Sequence, residues 1–331
     1  MSDFSFRDYV RSRDEGRIGG TEEHRRYAYK GDLAMLRTFK KLRYVELVVA
    51  AVVRSQKSIV SHSFMGRTIR VSSRQVPRIH RIAKDCAERL NVPVPTIYVA
   101  NSPIMNAYTF GTDDDSFIVV HSKLIDDFTD EELRFVIGHE MGHIQNRHVV
   151  YGTALRLLKT NASIFLRWIA PPAEAALAAW ARRAEITCDR AGLLCAGDLA
   201  VAERSFLKMA CGSTKLYEEL DIDAFLEQLE DGQSKVGRLT EMFATHPYLP
   251  KRIRALQLFA QSEMYRKAVG LGDDGTSLHD VDDQVDEIIK VLGGGSGSSN
   301  ASLEEARGGA DDPANGTTAD VNDDTEERSD G

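Results

Sequence analysis

Thr129-Asp130-Glu131-Glu132-Leu133-Arg134-Phe135-Val136-Ile137-Gly138-His139-Glu140-Met141-Gly142-His143-Ile144 is the stretch on which the reading of this chain turns. Thr129, with Glu132 three residues on, makes a capping-box start. The apolar positions Phe135, Ile137, Met141 and Ile144 carry the helix onward. On that helix His139 and His143, four residues apart, share one face, so their imidazoles converge on one point. Glu140 follows the first of them, with a side chain long enough to reach a metal-bound water. Two ligands and a base from one helical turn form the pattern of a catalytic zinc site. The competing reading is a charged helix turn with surface histidines. The cap, the periodicity and the β-rich segment just upstream weigh against it.

Such a site needs a third protein ligand and an open position. A histidine six residues after His143 would serve, but Val149 stands there, and Asn146 occupies the place where that pattern has glycine. His148, five residues on, falls on a different helix face and reads as a solvent-facing or packing histidine. The other option lies on a later helix. Arg182-Arg183-Ala184-Glu185-Ile186-Thr187-Cys188-Asp189-Arg190 offers Glu185 and, four residues on, Asp189. That spacing lets Glu185 bind metal while Asp189 accepts a hydrogen bond from a ligand histidine, fixing its tautomer. The same residues also fit a surface face laced with i,i+4 pairs.

With these residues together the chain resembles the gluzincin peptidases of the CAAX prenyl protease and HtpX-like family. The matching elements are His139-Glu140-Met141-Gly142-His143, Glu185 with Asp189, Thr245-His246-Pro247 followed by Arg252-Ile253, and Asn106-Ala107 upstream, spanning about residues 70–260. The resemblance implies one Zn²⁺ per chain, with Glu185 as third ligand beside His139 and His143, Asp189 as its supporting partner, and Glu140 as general base. It implies that Asn106 and Ala107 border the cleft against substrate backbone, and that His246 lies near the metal to polarise the scissile carbonyl or stabilise its oxyanion. Arg252 would be a structural ion-pair partner. The implied fold is α+β and mostly helical, a gluzincin-like metallopeptidase domain with a small antiparallel sheet beside the HExxH helix. The implied activity is a zinc metalloendopeptidase that hydrolyses extended peptides or unfolded proteins. Many relatives carry membrane helices around the catalytic segment; the lack of a full-length span here points to the soluble branch.

Working outward, residues 1–30 are polar and charge-dense and read as a mobile arm. An apolar helical pattern runs from Asp32 through Leu36, Phe39, Leu42, Val45 and Val49 to about Val53. A short strand is expected at Thr68-Ile69-Arg70-Val71, then a helix from Ser73 that ends before Pro93. Three β-like runs follow at 96–99, 107–110 and 117–120, the last two joined by an Asp113-Asp114-Asp115 turn. The run at 116–120 reads as an exposed edge to which a peptide could add as an extra strand. Pro171-Pro172 breaks the next helical region, with a new helix from about Ala173 through Glu185 to Leu194. Shorter helices are expected near 199–211, 221–230 and 248–265. From Gly293 the chain is Gly/Ser-rich and then acidic, too poor in apolar residues to offset the entropy of ordering. The expected division is therefore arm 1–30, one domain 31–290 and a disordered tail 291–331.

The 331 residues are 42% apolar, enough for a sizeable core, and carry a net charge of −8. That balance gives no basic footprint for a nucleic acid. Tyr44–Val53 is too short to span a bilayer, and Ser163–Trp180 contains Arg167, Pro171, Pro172 and Glu174, so no transmembrane segment is expected. Cys86, Cys188, Cys195 and Cys211 show no CxxC pairing, which reads as reduced thiols in a cytoplasmic protein. The expected partner is a peptide or protein substrate. Two rival classes remain. A non-catalytic, zinc-stabilised interaction module would have no use for Glu140. A membrane-surface quality-control factor with peripheral contact is suggested by Arg156, Lys159, Arg167 and Trp168 among Leu157, Leu158, Phe165 and Ile169; the plainer reading there is a core helix hairpin over the catalytic helix.

Overall fold

The computed structural model describes residues 26–39, 67–111, 116–159, 170–231 and 249–289. The expected arm up to residue 25, the tail, the Asp113–Asp115 turn, residues 40–53, Arg167, Trp168 and His246 lie outside them. In chain order the elements are α1 (Lys30–Phe39), β1 (Thr68–Arg70), α2 (Pro77–Leu90), β2 (Thr96–Ala100), β3 (Ala107–Gly111) and β4 (Ser116–His121). Next come α3 (Ser122–Asp127), α4 (Asp130–Gln145), α5 (Val149–Lys159), α6 (Ala170–Ala196), α7 (Leu199–Cys211) and α8 (Thr214–Tyr217). The remainder are α9 (Ile222–Asp231), α10 (Leu249–Ala260), α11 (Glu263–Ala268) and α12 (Leu278–Ile289).

The fold is mostly helical, as expected, and α4 starts on its capping box. Thr129 Oγ1 accepts from Glu132 N at 3.3 Å, and Glu132 Oε2 accepts from Thr129 N at 2.8 Å. Glu132 is fully buried. Its charge is met by Arg204 Nε at 2.7 Å and Lys208 Nζ at 2.9 Å, which pin the helix start to α7. The partner of α4 is α6. It begins at Ala170 rather than Ala173, so Pro171 and Pro172 occupy its first turn, where their missing N–H groups cost no intrahelical bond.

The α4–α6 crossing is unusually close because glycine sits on both helices. A Cβ on Gly138 would stand 2.6 Å from Cys195 Cβ, and one on Gly142 only 2.9 Å from Ala191 Cβ. From the other helix, a Cβ on Gly192 would meet the Phe135 carbonyl oxygen at 2.7 Å. Interior helical glycine costs about 1 kcal/mol relative to alanine; here it lets the two helices that carry the candidate site residues touch.

Among the described residues the sheet has four strands in the order β1-β2-β4-β3. It is mixed, not antiparallel: β1–β2 and β3–β4 are antiparallel, while β2 and β4 run parallel, Ile97 opposite Ile118. The run Phe117-Ile118-Val119-Val120 is buried throughout. A continuous apolar run of that kind suits a central strand covered on both faces, so β4 is interior, contrary to the expected exposed edge. Edge strand β3 lies against α4 and α5.

Three other departures have local causes. The helix expected over 248–265 is divided between α10 and α11, because Ser262 caps a new helix by accepting from Tyr265 N at 3.1 Å. Helix α12 is scarcely announced by its sequence, since Val281, Val285 and Ile289 are spaced among acidic residues. The boundary at residue 30 runs through a packed segment. Tyr27 and Tyr29 are buried, Tyr29 N donates to Thr187 Oγ1 at 3.1 Å, and the buried Arg190 donates to the Tyr27 carbonyl at 3.1 Å and to Asp282 Oδ1 at 2.7 Å. Cys86, Cys188 and Cys195 are buried free thiols. No described helix is long and apolar enough to cross a membrane.

Candidate metal centre and catalytic site

Helix α4 presents His139 and His143 to α6, which presents Glu185. Their donor atoms all lie within 4.8 Å of one another. His139 Nε2 is 3.5 Å from Glu185 Oε2, and His143 Nε2 is 3.7 Å from Glu185 Oε1. Ligands held tetrahedrally at about 2.0–2.2 Å from one ion stand roughly 3.3–3.6 Å apart. Two imidazoles and a carboxylate at this separation fit a single zinc-type ion and leave a position open.

Each imidazole is backed on its far side. His139 Nδ1 donates to Asp189 Oδ1 at 3.0 Å, as the i,i+4 argument from Glu185 anticipates. Arg252 clamps that carboxylate with two bonds, Nε to Oδ2 at 2.9 Å and Nη2 to Oδ1 at 2.6 Å, and its Nη2 also lies 3.0 Å from Glu185 Oε2. Burial lowers the pKa of His139, but the Asp189 hydrogen bond and the carboxylates of Glu185 and Asp189 outweigh it and leave it raised. Arg252 follows the same pattern: burial opposes its charge, and Asp189 and Glu185 hold it protonated. Arg252 is thus an ion-pair partner, as the resemblance implies, and the carboxylates it pairs with are those of the site.

His148 departs from the helical-face argument. Helix α4 stops at Gln145, and Arg147 adopts a left-handed φ of 59°. The chain turns back and places His148 Nδ1 3.3 Å from His143 Nδ1. Of the two readings of His148 it is the packing one that holds: the ring is fully buried, with Nε2 2.9 Å from Asp32 Oδ2. Treating Asn146 as a helix stop would have located the break; nothing in the sequence connects Asp32 to it.

Glu140 is buried beside His139. Thr109 Oγ1, on β3, lies 2.6 Å from Glu140 Oε2 and 3.1 Å from the Glu140 carbonyl oxygen. Burial raises the pKa of the Glu140 carboxyl, partly countered by His139 and Thr109. Thr109 is a second residue that sequence reasoning passes over. A cleft of about 310 Å³ opens onto these groups, with Asn106, Ala107, Tyr108 and Thr109 on the sheet side and Gly152, Leu155, Arg156 and Trp180 on the helical side. Asn106 and Ala107 therefore line the cleft that His139, Glu140, His143 and Glu185 also border.

Residues 73–260, more than half of the chain, match the family model described as Peptidase family M48. This chain belongs to peptidase family M48. Its M48 metallopeptidase domain thus contains both candidate helices and Arg252, whereas Asp32 lies outside the matched residues. Similar proteins include the plastoglobule-localized metallopeptidase 48, chloroplastic, of Arabidopsis thaliana, 40% identical over 168 residues that cover 50% of this chain and 49% of the relative. A protease HtpX homolog of Pelotomaculum thermopropionicum is 25% identical over 230 residues, covering 59% of this chain and 80% of the relative. Another, from Halobacterium salinarum, is 38% identical over 80 residues, 24% of this chain and 28% of the relative. The chain thus spans about half the length of the plastoglobule relative. No solved structure matches it.

Proposed function

We propose that this M48 chain is a zinc-dependent endopeptidase that hydrolyses extended peptides or unfolded proteins, with one Zn²⁺ held by His139, His143 and Glu185 and with Glu140 as general base. The observation that carries the reading is the meeting of three metal-type donors with a buried carboxylate at one cleft. When bound, zinc supplies Lewis acidity, acidifying water and polarising a carbonyl. Asp189 fixes the tautomer of His139 so that its Nε2 lone pair faces the ligand set. Glu140 takes the proton of the attacking water as the water oxygen bonds to the scissile carbonyl carbon. It then delivers that proton to the amine as the C–N bond breaks. Its raised pKa suits both roles. Thr109 holds one Glu140 carboxylate oxygen, Oε2.

Substrate is proposed to lie along β3, which pairs only with β4 among the described residues. Main-chain hydrogen bonds along that edge would hold an extended peptide with little side-chain selection, with Asn106 and Ala107 touching its backbone. His246, outside the described residues, keeps its proposed oxyanion role from the family resemblance. The free buried thiols favour a cytoplasmic setting. A peptidase working at a lipid surface is a second reading, favoured by the plastoglobule-localized name of one relative. Liposome co-sedimentation that disappears on replacing Arg167 and Trp168 would support it.

The deciding experiment is cleavage of a quenched peptide by wild type and Glu140→Gln, with metal content measured on both. The expected result is a loss of about 10²–10⁴-fold in a variant that keeps its zinc. Equal turnover by the two proteins would remove Glu140 as the base.

A further inference from the structure

We propose that His148, backed by Asp32, is a positioning residue that fixes the tautomer of His143, and that the segment carrying Asp32 thereby completes the metal site from outside the family-matched domain. This rests on the reading of His143 as a metal ligand.

The argument is one of proton accounting. Asp32 is fully buried on α1. Trp180 Nε1 donates to its Oδ1 at 2.8 Å and Thr187 Oγ1 to its Oδ2 at 2.8 Å. An indole N–H can only donate, so each Asp32 oxygen stands as an acceptor, Oδ1 of the indole N–H and Oδ2 of the Thr187 hydroxyl. The ring nitrogen facing it is His148 Nε2, 2.9 Å away. The contact is electrostatic rather than an aligned hydrogen bond, but its sign still places a proton on Nε2, because a lone pair turned toward a buried carboxylate would be repelled. A His148 ring that carries its proton on Nε2 presents a lone pair at Nδ1. That lone pair faces His143 Nδ1 at 3.3 Å, so His143 must carry its proton on Nδ1. His143 Nε2 is then left bare on the side of Glu185, as a metal ligand requires. Cys188 Sγ, 3.6 Å from His148 Nδ1, does not compete for the role of acceptor: burial raises its pKa, and the thiol remains a weak donor to the same lone pair.

The geometry is built rather than incidental. The left-handed turn at Arg147 brings His148 back beneath His143, with His148 N donating to the His143 carbonyl at 2.9 Å. The His148 ring stands edge-on to both His143 and Trp180, at centroid separations of 5.4 and 5.3 Å. Histidine at 148 is thus held in one orientation by packing and in one tautomer by Asp32.

The test measures zinc affinity of the full chain by competition with a chromophoric chelator, together with metal stoichiometry and the visible spectrum of the cobalt(II) form. His148→Phe keeps a planar ring and removes the acceptor. His148→Asn keeps an oxygen near the position of Nδ1. We expect His148→Phe to weaken zinc binding by about 10–100-fold and to alter the cobalt spectrum, while His148→Asn stays close to wild type. Unchanged affinity in His148→Phe overturns the proposal. So does equal weakening of both variants, which would mark a packing role, and so does a second tight metal in the wild type, which would mean that His143, His148 and Cys188 hold an ion instead. Where His148→Phe fails to fold, Asp32→Asn decides: weakened zinc binding in a folded variant supports the relay, and wild-type binding overturns it. His143→Ala is the control on the underlying reading. If it binds zinc as wild type does, the ligand assignment itself is wrong, whatever the His148 variants show.

Discussion

His139 and His143 leave the same turn of α4, yet they are backed by different chemistry. Behind His139 stands a charged layer, Asp189 clamped by Arg252, drawn from α6 and α10 inside the family-matched residues. Behind His143 stands another imidazole, His148, with a carboxyl group one step further back at Asp32. A carboxylate in direct contact makes an imidazole a stronger donor to a cation, whereas a neutral acceptor mainly fixes its tautomer and angle. On the proposed reading that both hold one ion, the two imidazoles are therefore set for different tasks, one for strength and one for orientation.

The largest effect that would break this comparison is expected at Arg252. Arg252→Met leaves Asp189 and Glu185 buried without their cation, which costs about 3–5 kcal/mol for a broken buried pair. Chemical denaturation in the presence of a chelator measures it, and metal should restore part of the loss by supplying positive charge beside Glu185. Metal-free Arg252→Met as stable as wild type would mean that the charged layer is not charged. Next comes Asp189→Asn, which should weaken zinc binding by about 10–100-fold and by more than Asp32→Asn in the same chelator competition. An equal effect at the two positions would erase the distinction between strength and orientation.

Gly142→Ala tests the His143 side by wedging α4 from α6. Its Cβ would meet Ala191 Cβ at 2.9 Å and Cys188 Cα at 3.1 Å. Overpacking of this kind costs about 1–3 kcal/mol, against roughly 1 kcal/mol regained in helix propensity, so a lowered melting temperature and a looser metal are expected together. The smallest effect belongs to Thr109→Val, which touches neither backing layer. The Thr109 hydroxyl lowers the raised pKa of Glu140, so its loss should raise that pKa further. In its proposed role Glu140 would act only when deprotonated, and the acid limb of kcat/KM should therefore move to higher pH, by about one unit or less. Zinc affinity should not change; if it does, Thr109 is acting on the ligands and not on the base.

The two backing layers also differ in how far the sequence discloses them. His139 with Glu140, and Glu185 with Asp189, sit at helical spacings that place each pair on its own helix, and it is the family resemblance that brings the two helices together. His148 follows a helix end that periodicity alone runs straight through, and the left-handed residue that reverses the chain is an arginine rather than a glycine. Asp32 reaches the site across more than a hundred residues of chain, and no local pattern marks such a contact. The sheet shows the same division. Strand identities follow from composition, but the parallel pairing of β2 with β4, and with it the identity of the edge facing the cleft, depends on how the chain between them folds.

Arg190 ties this geography to the order in which the chain is made. It lies buried on α6 one residue after Asp189, and its guanidinium holds the Tyr27 carbonyl on one side and Asp282 on the other. A growing chain emerges from the ribosome with its N-terminal segments first and folds by domains as they are completed. Until Asp282 has emerged, the α6 helix that carries Glu185 would have to bury an arginine lacking its counter-charge, which is strongly unfavourable. The α4–α6 seam thus gains the counter-charge of its buried arginine only once α12 has been made.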